Sequence, residues 1–579
     1  MTGWPRQARQ GVSSPIQNAM ALRRDRVNLI ALSTLWLAMA LLVDPRGDFP
    51  VQDDWSYGRV VRTLIDDGAY RIPGFISANL GPLVHWGALF CWPFGFSFTA
   101  LRISTLVMGL FGILGVYFLF REVWGDKRIA FAGAATLLVN PIYFSLANTF
   151  MTDVPFLALL SFAMALMVRG MRRESRIALL SGLALGLVCL LVRQFALVLF
   201  GAFACAWIAR RGFCPSALLR ATIPLAIAIA VHVAFNDWLM RTGRKDYVTG
   251  FSDITDASFN DFVYSSEHEL FIAITELGLF LLPLAVACLG LSMRRPRVAS
   301  SIWPAALATV SGAAVAYHLI AGRMLMPLTG DTLHYFGIGP LMLRDTLLIG
   351  WHLPPLTAQL ETFWIAITGL APVGVAIIVY AFARGAADRF DRPRTIRELR
   401  ELTRRAWPAV FFAAVALAYL SVLLLLATRH TLFDRYLLPL CVIVALALPL
   451  IGMGARTSRF SRAAWIFAGL WLFASACFSV VSTHDFLAWN RTRWMALNDL
   501  TERHEVSPRR IDGGYEFNGW YLFDPLYEPH DEKSWWWVDD DEYMIAAGPM
   551  PAYRIERRLA VDRWWTFTTP DVFVLRRNQ

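Results

Sequence analysis

The chain has 579 residues, of which 56% are hydrophobic and 17% charged, and its formal net charge is +10 at pH 7. Apolar runs long enough to cross a bilayer recur from end to end, which excludes a soluble protein and predicts a polytopic α-helical membrane protein. The basic surplus falls in the loops of one side, as the positive-inside rule describes, so a nucleic acid partner is not expected.

Apolar runs of about 17 to 25 residues predict about 13 transmembrane helices. The first run follows "RRDR", and its Ala38 and Ala40 resemble a signal-peptide cleavage site. Because the run is long and these alanines lie inside it, an uncleaved anchor is favoured over a signal peptide. The predicted spans are residues 27–43, 100–120, 129–147, 153–170, 176–192, 195–210, 219–237, 269–292, 300–321, 358–383, 407–427, 436–453 and 463–481.

The basic connections, such as "REVWGDKR" and "RGMRRESR", place the N-terminus in the cytoplasm. The chain then divides into a cytoplasmic tail (1–26), a transmembrane domain (27–481) and an extracytoplasmic C-terminal domain (482–579). Three long loops also face the outside, at residues 44–99, 238–267 and 322–355. Since these acidic or mixed segments share one side, function is predicted to face outward.

The first outer loop is predicted to contain juxtamembrane helices. In "WSYGRVVRTLIDDG", the apolar residues Val60, Val61, Leu64 and Ile65 recur at helical spacing. This pattern predicts an amphipathic helix on the membrane surface, and a second such segment is predicted from Pro82 to Phe98.

Beyond His484 the hydrophobicity drops, and short apolar stretches alternate with glycine, proline and aspartate. This pattern predicts a small soluble α/β domain. Its cluster Trp535–Trp537 is expected to pack or to anchor at the membrane interface, with stacking on a sugar as the alternative.

Three aspartates are candidate catalytic residues. Asp53 and Asp54 open the first surface helix, and Asp153 stands at the outer start of the fourth span. Helix capping would explain one aspartate at each place. Because the topology brings all three to one membrane face, they are also predicted to accept a proton from a hydroxyl group or to hold a metal.

Arginines at the same face predict an anion site. The candidates are Arg193, Arg429 and Arg435, because an arginine at membrane depth is costly unless it is paired or binds an anion. A salt bridge to Asp434 or snorkelling is the alternative for Arg435. Carboxylates beside arginines suit a substrate whose reacting carbon carries a phosphate leaving group, held by bidentate bonds. Tyr57, His430 and Tyr436 are predicted to bind substrate.

Four short phrases, "DDWSY", "LIDDGAY", "MTDVPF" and "RYLLP", share this face and follow one another in a characteristic order. Together they resemble the polyprenyl-phosphate-sugar-dependent glycosyltransferases of the GT-C fold. More narrowly, they resemble the glycosyltransferase 39-like group, which is the protein O-mannosyltransferase and lipid A aminoarabinose transferase branch. The resemblance covers residues 27–480 and implies that the first-loop acidic motif and Asp153 belong to an active site.

The resemblance implies an inverting glycosyltransferase of the bacterial inner membrane. The donor would be a sugar on undecaprenyl or a related polyprenyl phosphate, and the acceptor an extracytoplasmic glycan, lipid or protein. Many members have Asp-Glu where this chain has Asp-Asp, so the resemblance does not fix which carboxylate is the base; Asp53 is the first choice and Asp54 the second. Neither the sugar nor the acceptor follows from the sequence.

Two other functions stay open. A transporter or flippase of lipid-linked saccharides could use the same charges, but no repeat is evident and the acidic residues avoid the bilayer midplane. A surface-polysaccharide polymerase or ligase would take a diphosphate-linked donor instead. No cofactor is required; a divalent cation on the three aspartates is the alternative. The seven cysteines show no CxxC pair, which argues against zinc and against a disulfide framework.

Overall fold

The computed structural model is a helical membrane bundle with a small domain seated on one end. It describes residues 15–74, 76–245, 259–292, 302–324, 332–387, 395–427, 432–449, 461–528, 536–565 and 568–578. Two of the predicted site residues, Arg429 and His430, lie outside these ranges. Trp535 of the tryptophan cluster also lies outside them.

Nineteen helices are labelled here in chain order. The membrane bundle and its connections contain α1 (Pro15–Val43), α2 (Asp54–Asp67), α3 (Gly81–Cys91), α4 (Phe98–Trp124), α5 (Lys127–Leu138), α6 (Pro141–Ala147), α7 (Asp153–Arg173), α8 (Arg176–Val192), α9 (Leu197–Arg211), α10 (Pro215–Arg241), α11 (Phe259–Ser292), α12 (Trp303–Ala321), α13 (Ala358–Thr368), α14 (Ala371–Ala387), α15 (Ile396–Arg405), α16 (Trp407–Ala427), α17 (Leu438–Ala447) and α18 (Arg462–Asn498). The last helix, α19 (Tyr515–Leu522), belongs to the C-terminal domain.

The predicted class is confirmed, whereas the count of 13 spans is not. In the described ranges 10 helices are long and apolar enough to cross a membrane, or 11 if the bent pair α5 and α6 is one span. Two further predicted spans are short in the structure, since α8 has 17 residues and α17 has 10.

The bend between α5 and α6 has a local cause. Pro141 has no N–H to continue the helix, and the Asn140 side chain accepts a hydrogen bond from Tyr143 N (3.0 Å), so a new helix begins. The two axes differ by 65°. The apolar run that predicted one continuous span therefore makes a sharp turn before the chain reaches Asp153.

The antiparallel pair α7 and α8 brings two predicted site residues to one end of the bundle. Asp153 is the first residue of α7, and Arg193 follows the last residue of α8. The helices approach closely at Gly182, where a Cβ atom would lie 2.8 Å from Met167 N. Small residues permit such close packing between membrane helices, and the pair therefore holds its ends in register. Asp53 lies at the same end, since Arg435 contacts both Asp53 and Asp153, and we call this end of the bundle the Asp53 end.

Helices are present at both predicted places in the first connection, as α2 and α3, although α3 ends at Cys91 rather than at Phe98. The apolar face of α2 is buried at Val60 and Val61. The extended segment before α2 is held by Arg102 of α4, a buried side chain that donates hydrogen bonds to the carbonyl oxygens of Pro45 (2.7 Å) and Phe49 (2.9 Å). The segment is thus held firmly against the bundle.

The predicted small C-terminal domain is present, although its boundary differs. Helix α18 continues beyond residue 481 to Asn498, because its upper part carries buried apolar residues such as Trp489. The domain contains a four-stranded sheet in the order β3–β4–β6–β5, in which only β3 and β4 are parallel. The strands are β3 (Ile511–Asp512), β4 (Tyr543–Ala546), β5 (Tyr553–Leu559) and β6 (Val572–Arg577), and a two-stranded hairpin, β1 (Leu333–His334) and β2 (Gly337–Ile338), lies in an earlier connection.

A buried carboxylate attaches the C-terminal domain to α18. Asp485 accepts hydrogen bonds from Trp564 N (2.8 Å), Trp565 N (3.0 Å) and Thr568 Oγ1 (2.6 Å). Charge-assisted bonds of this kind are about twice as strong as neutral ones. The domain is therefore fixed to the bundle, and its residues can contribute to a site at the Asp53 end.

Candidate functional site

Four of the predicted charged residues meet at the Asp53 end of the bundle. They are Asp53, Asp153, Arg193 and Arg435, and they come from the start of α2, the start of α7, the end of α8 and the turn before α17. Arg435 lies between the two carboxylates, with Nη2 3.5 Å from Asp53 Oδ2 and Nε 3.9 Å from Asp153 Oδ2. The sequence prediction that these charges share a site agrees with this geometry.

The side chain of Asp53 does not cap its helix. Asp53 occupies the N-cap position of α2, but its carboxylate accepts no capping hydrogen bond from the helix. Its Oδ1 instead accepts a hydrogen bond from the hydroxyl group of Tyr515 (2.8 Å), and its Oδ2 faces Arg435. Capping therefore does not explain this aspartate.

Asp153 is also turned toward the site rather than toward its own helix. Thr152 occupies the N-cap position of α7. The Asp153 carboxylate accepts a hydrogen bond from Arg193 Nη1 and lies near Arg435. Its side chain is only 4% exposed, against 26% for that of Asp53. Asp53 is thus the more accessible of the two carboxylates.

The two arginines lie against aromatic rings that fix their planes. The guanidinium carbon of Arg193 is 4.6 Å from the ring centre of Tyr436, and that of Arg435 is 4.3 Å from the ring centre of Phe433. Both arginines are buried. Snorkelling therefore does not describe Arg435, while Asp434 beside it accepts hydrogen bonds from the backbone of Thr332 and Leu333.

Asp54 has a different position from its neighbour. Its side chain points into the protein, where Oδ1 accepts a hydrogen bond from Val51 N (2.5 Å) and Oδ2 accepts one from Phe150 N (3.2 Å). The residue is 1% exposed. Burial raises the pKa of Asp54 to about 8, although Arg102 and the two backbone donors oppose the rise. Asp54 ties the first connection to the segment that leads to Asp153.

The predicted substrate-binding tyrosines lie beside the charges. Tyr57 stands in the first turn of α2 and is half-buried, and its hydroxyl pKa is raised by burial and by the charge of Asp53. Tyr436 packs its ring edge against Phe195 and carries Arg193 on its face. Their predicted role in binding substrate stays a prediction.

Tyr515 was missed by the sequence analysis, although it contacts Asp53 directly. It follows a Gly-Gly turn in the C-terminal domain, where Gly514 adopts a φ of 89° that favours glycine. Its backbone N–H donates to Met342 O (2.9 Å), and its ring packs against Trp55 and Trp536. In the sequence, the Gly-Gly pair indicates a turn at this place. It does not indicate that the residue after the turn contacts Asp53.

The described tryptophans of the predicted cluster pack inside the protein. Trp536 is 1% exposed, and Trp537 lies against Trp55 with ring centres 5.5 Å apart. This agrees with the packing interpretation and leaves no open face on Trp536 for a sugar. Trp536 and Trp537 instead pack against the ring of Tyr515.

An apolar groove of about 430 Å³ opens beside the charged residues. It runs between α3, α4, α7 and α8, and all of its lining residues are apolar. Pro155, two residues after Asp153, and Val192, directly before Arg193, line it. Phe111 and Val188 on its walls are 41% and 38% exposed, so the groove is open at the side of the bundle.

The family model for dolichyl-phosphate-mannose-protein mannosyltransferases matches residues 81–238. The match supports the resemblance that the sequence analysis described, over about a quarter of the chain. It includes Asp153, Arg193 and the walls of the apolar groove, whereas Asp53 and Arg435 lie outside it. No protein of curated function matches the chain.

Three solved structures are similar in outline. ArnT from Cupriavidus metallidurans bound to undecaprenyl phosphate is 13% identical, with 95% of this chain and 97% of that chain covered and a TM-score of 0.38. The same protein in the apo state is 14% identical, with 96% of this chain and 98% of that chain covered and a TM-score of 0.39. The Archaeoglobus fulgidus oligosaccharyltransferase tethered with an acceptor peptide is 16% identical. The match covers 82% of this chain and 58% of that chain, with a TM-score of 0.35. At these TM-scores the likeness assigns no residue or substrate.

The three aspartates do not converge on one point. Asp54 faces backbone N–H groups, while Asp53 and Asp153 face arginines. Among the residues that the structure describes, no group of three His, Cys, Asp or Glu side chains is arranged to hold a metal ion. The divalent cation that the sequence left open stays a prediction.

We predict that Asp54 makes the folded protein less stable as the pH rises. An aspartate with a folded-state pKa of about 8 is protonated in the fold at pH values where the unfolded chain has already ionised it. The thermal midpoint in detergent should therefore fall between about pH 4 and pH 8, and Asp54→Asn should reduce this fall. The exposed Asp67→Asn should leave it unchanged; an equal effect of both substitutions would contradict the assignment.

Proposed function

We propose that the chain is an inverting glycosyltransferase that moves a sugar from a polyprenyl-phosphate donor to an acceptor on the outer face of a bacterial inner membrane. The observation that carries the proposal is that paired carboxylates and arginines stand next along the chain to an apolar groove, which Pro155, two residues after Asp153, and Val192, directly before Arg193, help to line. A long isoprenoid attached to a sugar phosphate has the same division into a charged head and an apolar tail. The family-model match over residues 81–238 supports a glycosyltransferase.

Arg193 and Arg435 would hold the donor phosphate. The donor is a phosphate diester, and the leaving group is a monoester that gains negative charge as the bond to the sugar breaks. Fixed guanidinium groups stabilise charge that develops in the transition state. Aromatic contacts with Tyr436 and Phe433 hold the two groups in place before the donor arrives. Arg429 is proposed as a third contact on sequence grounds alone.

Asp53 would activate the acceptor. Its carboxylate is the more exposed of the two in the site, and Tyr515 fixes its orientation through one hydrogen bond. In the transfer, the acceptor oxygen forms a bond to the sugar's anomeric carbon on the face opposite the phosphate. The acceptor proton passes to Asp53, and the electrons of the broken bond stay on the phosphate oxygen, so no strong acid is needed.

Asp153 would act through the arginines rather than on the acceptor. It contacts both Arg193 and Arg435 and is nearly closed to solvent. Its charge keeps two neighbouring guanidinium groups together before the donor binds, since like charges at this distance repel. Asp153 is thus proposed as a positioning residue, and Asp54 as a structural one.

The apolar groove would hold the isoprenoid tail. It starts within one turn of Asp153, and its lining residue Val192 directly precedes Arg193 along the chain, so a phosphate at the arginines would have its ester oxygen near the groove. One wall is formed by α3, the second surface helix, through residues such as Leu83 and Trp86.

We predict that Asp53→Asn abolishes transfer while leaving the fold intact. Loss of a general base lowers turnover by about 10²- to 10⁴-fold. Purified protein in liposomes would receive a panel of polyprenyl-monophosphate sugars, with lipid and cell-envelope extracts as acceptors, and the release of polyprenyl phosphate would be measured. Asp67→Asn, which changes an exposed aspartate of the same helix, is the matched control.

The outcomes of this experiment separate the candidate functions. Acceptor-dependent release of polyprenyl phosphate that is lost in Asp53→Asn supports the transferase. Turnover of diphosphate-linked oligosaccharides alone would indicate a polymerase or ligase. Movement of a lipid-linked sugar between leaflets without any turnover would contradict the transferase and indicate a transporter.

We predict that Tyr515→Phe lowers kcat about tenfold, because one hydrogen bond to a charged group is lost. Asp53 would lose the donor that fixes its orientation, so kcat should fall while KM for the donor stays unchanged. Tyr521→Phe removes a hydroxyl from the exposed side of the same helix and should change neither quantity. A fall in the thermal midpoint that accompanies the loss of activity would mean that Tyr515 only supports the fold.

We predict that Val188→Trp raises KM for donors with long isoprenoid tails. The larger side chain would narrow the apolar groove, whereas donors with only two or three isoprene units should be affected much less. Ile177→Trp adds the same ring to an exposed position of the same helix, outside the groove lining, and is the control. Equal effects on short and long donors would show that the tail binds elsewhere.

A further inference from the structure

A second large cavity lies at the end of the bundle opposite the Asp53 end. It has a volume of about 820 Å³ and is lined by seven arginines, together with Asp25, Glu122 and several aromatic and apolar residues. Residues from α1, α4, α7, α9, α15 and α16 meet there. We call it the basic cavity. No step of the proposed transfer uses it.

The helices themselves establish that the basic cavity is remote from the charged site. Helix α7 begins with Asp153 and ends with Arg173, which lines the cavity, so the two sites are about 30 Å apart along its axis. Helix α1 likewise carries Asp25 at the cavity and ends at Val43 near the first connection. This separation matches the thickness of a bilayer core, so the cavity opens at the other membrane face.

The cavity keeps a surplus of positive charge after its ion pairs are formed. Asp25 pairs with Arg121 (2.9 Å), and Glu122 pairs with both Arg169 (3.3 Å) and Arg173 (3.2 Å). At the rim, Glu174 pairs with Arg210 (3.1 Å) and Glu401 with Arg405 (2.8 Å). Within the described part of the chain, seven arginines thus face four carboxylates.

The wall of the basic cavity changes character along the membrane normal. On α1, Leu29 lies about one turn after Asp25, and on α4, Phe118 lies about one turn before Arg121. Both apolar residues therefore lie further into the bundle than the charged residues. Phe118 is 41% exposed, and Trp407 and Pro408 complete the apolar wall. A ligand there would meet charge at the membrane surface and apolar side chains below it.

We propose that the basic cavity binds the phosphate head group of an anionic phospholipid from the leaflet at this face. The arginines would hold the phosphate diester through charge-assisted hydrogen bonds, and the acyl chains would lie along Leu29 and Phe118. Free phosphate shares the head-group chemistry but has no part that would contact the apolar wall. The lipid would join six helices at their ends and so stabilise the bundle independently of glycosyl transfer.

The test measures lipid that stays with the purified protein. Wild-type protein is equilibrated with mixed vesicles of phosphatidylglycerol and phosphatidylcholine, extracted in mild detergent, and analysed for bound lipid by native mass spectrometry. We expect phosphatidylglycerol to be retained preferentially. In the variant Arg26→Gln/Arg169→Gln/Arg405→Gln, which removes three exposed arginines of the cavity, retention should fall at least about tenfold.

A control variant tests whether position or charge number matters. Arg62→Gln/Arg241→Gln/Arg554→Gln removes three exposed arginines outside the cavity and should keep wild-type retention. Equal loss in both variants, or no preference for phosphatidylglycerol in the wild type, would overturn the proposal.

The wild-type protein alone provides a second test, which stands even if the cavity variant does not fold. Its thermal midpoint should rise in nanodiscs of phosphatidylglycerol compared with phosphatidylcholine, and inorganic phosphate added to detergent solution should not reproduce the rise. If inorganic phosphate produces the same rise, the cavity binds a free anion and the lipid assignment is wrong.

Discussion

The buried side chain of Asp54 is the link on which the geometry of the charged site depends. It joins Val51, two residues before Asp53, to Phe150, three residues before Asp153, through two hydrogen bonds from their backbone N–H groups. A polar group removed from water costs free energy unless it finds hydrogen-bond partners, so these two segments are held at the distance of one side chain. The separation of Asp53 and Asp153 follows from that link, and Arg435 fills the space between them.

The same cost explains why the site contains charges of both signs. Each buried arginine faces a carboxylate and an aromatic ring, which together compensate for lost hydration. A bound phosphate could take over part of the role of the carboxylates, so the pairs hold the site in shape without a ligand. Under the proposed function, the apolar groove beside them would select an anion that carries a long apolar tail.

The sequence predicted what depends on membrane topology and missed what depends on distant contacts. Asp153, Arg193 and Arg435 were brought together correctly because each lies at a span end on one face. The sequence could not distinguish Asp53 from Asp54, since only the packed structure shows which carboxylate turns inward. The single span predicted for residues 129–147 bends at its Asn-Pro step, and apolar periodicity does not register such a turn. Tyr515 depends on a contact that no local pattern encodes.

Because of that contact, the charged site is complete only after the C-terminal domain has been made. Tyr515 reaches Asp53 across 462 positions of the chain, from a domain that Asp485 attaches to the bundle. A ribosome-bound intermediate with every membrane helix inserted would still lack this hydroxyl group. The site is completed only when the C-terminal domain has been synthesised, folded and docked, so under the proposed function a partly made chain would use its lipid-linked donor more slowly than the finished protein does.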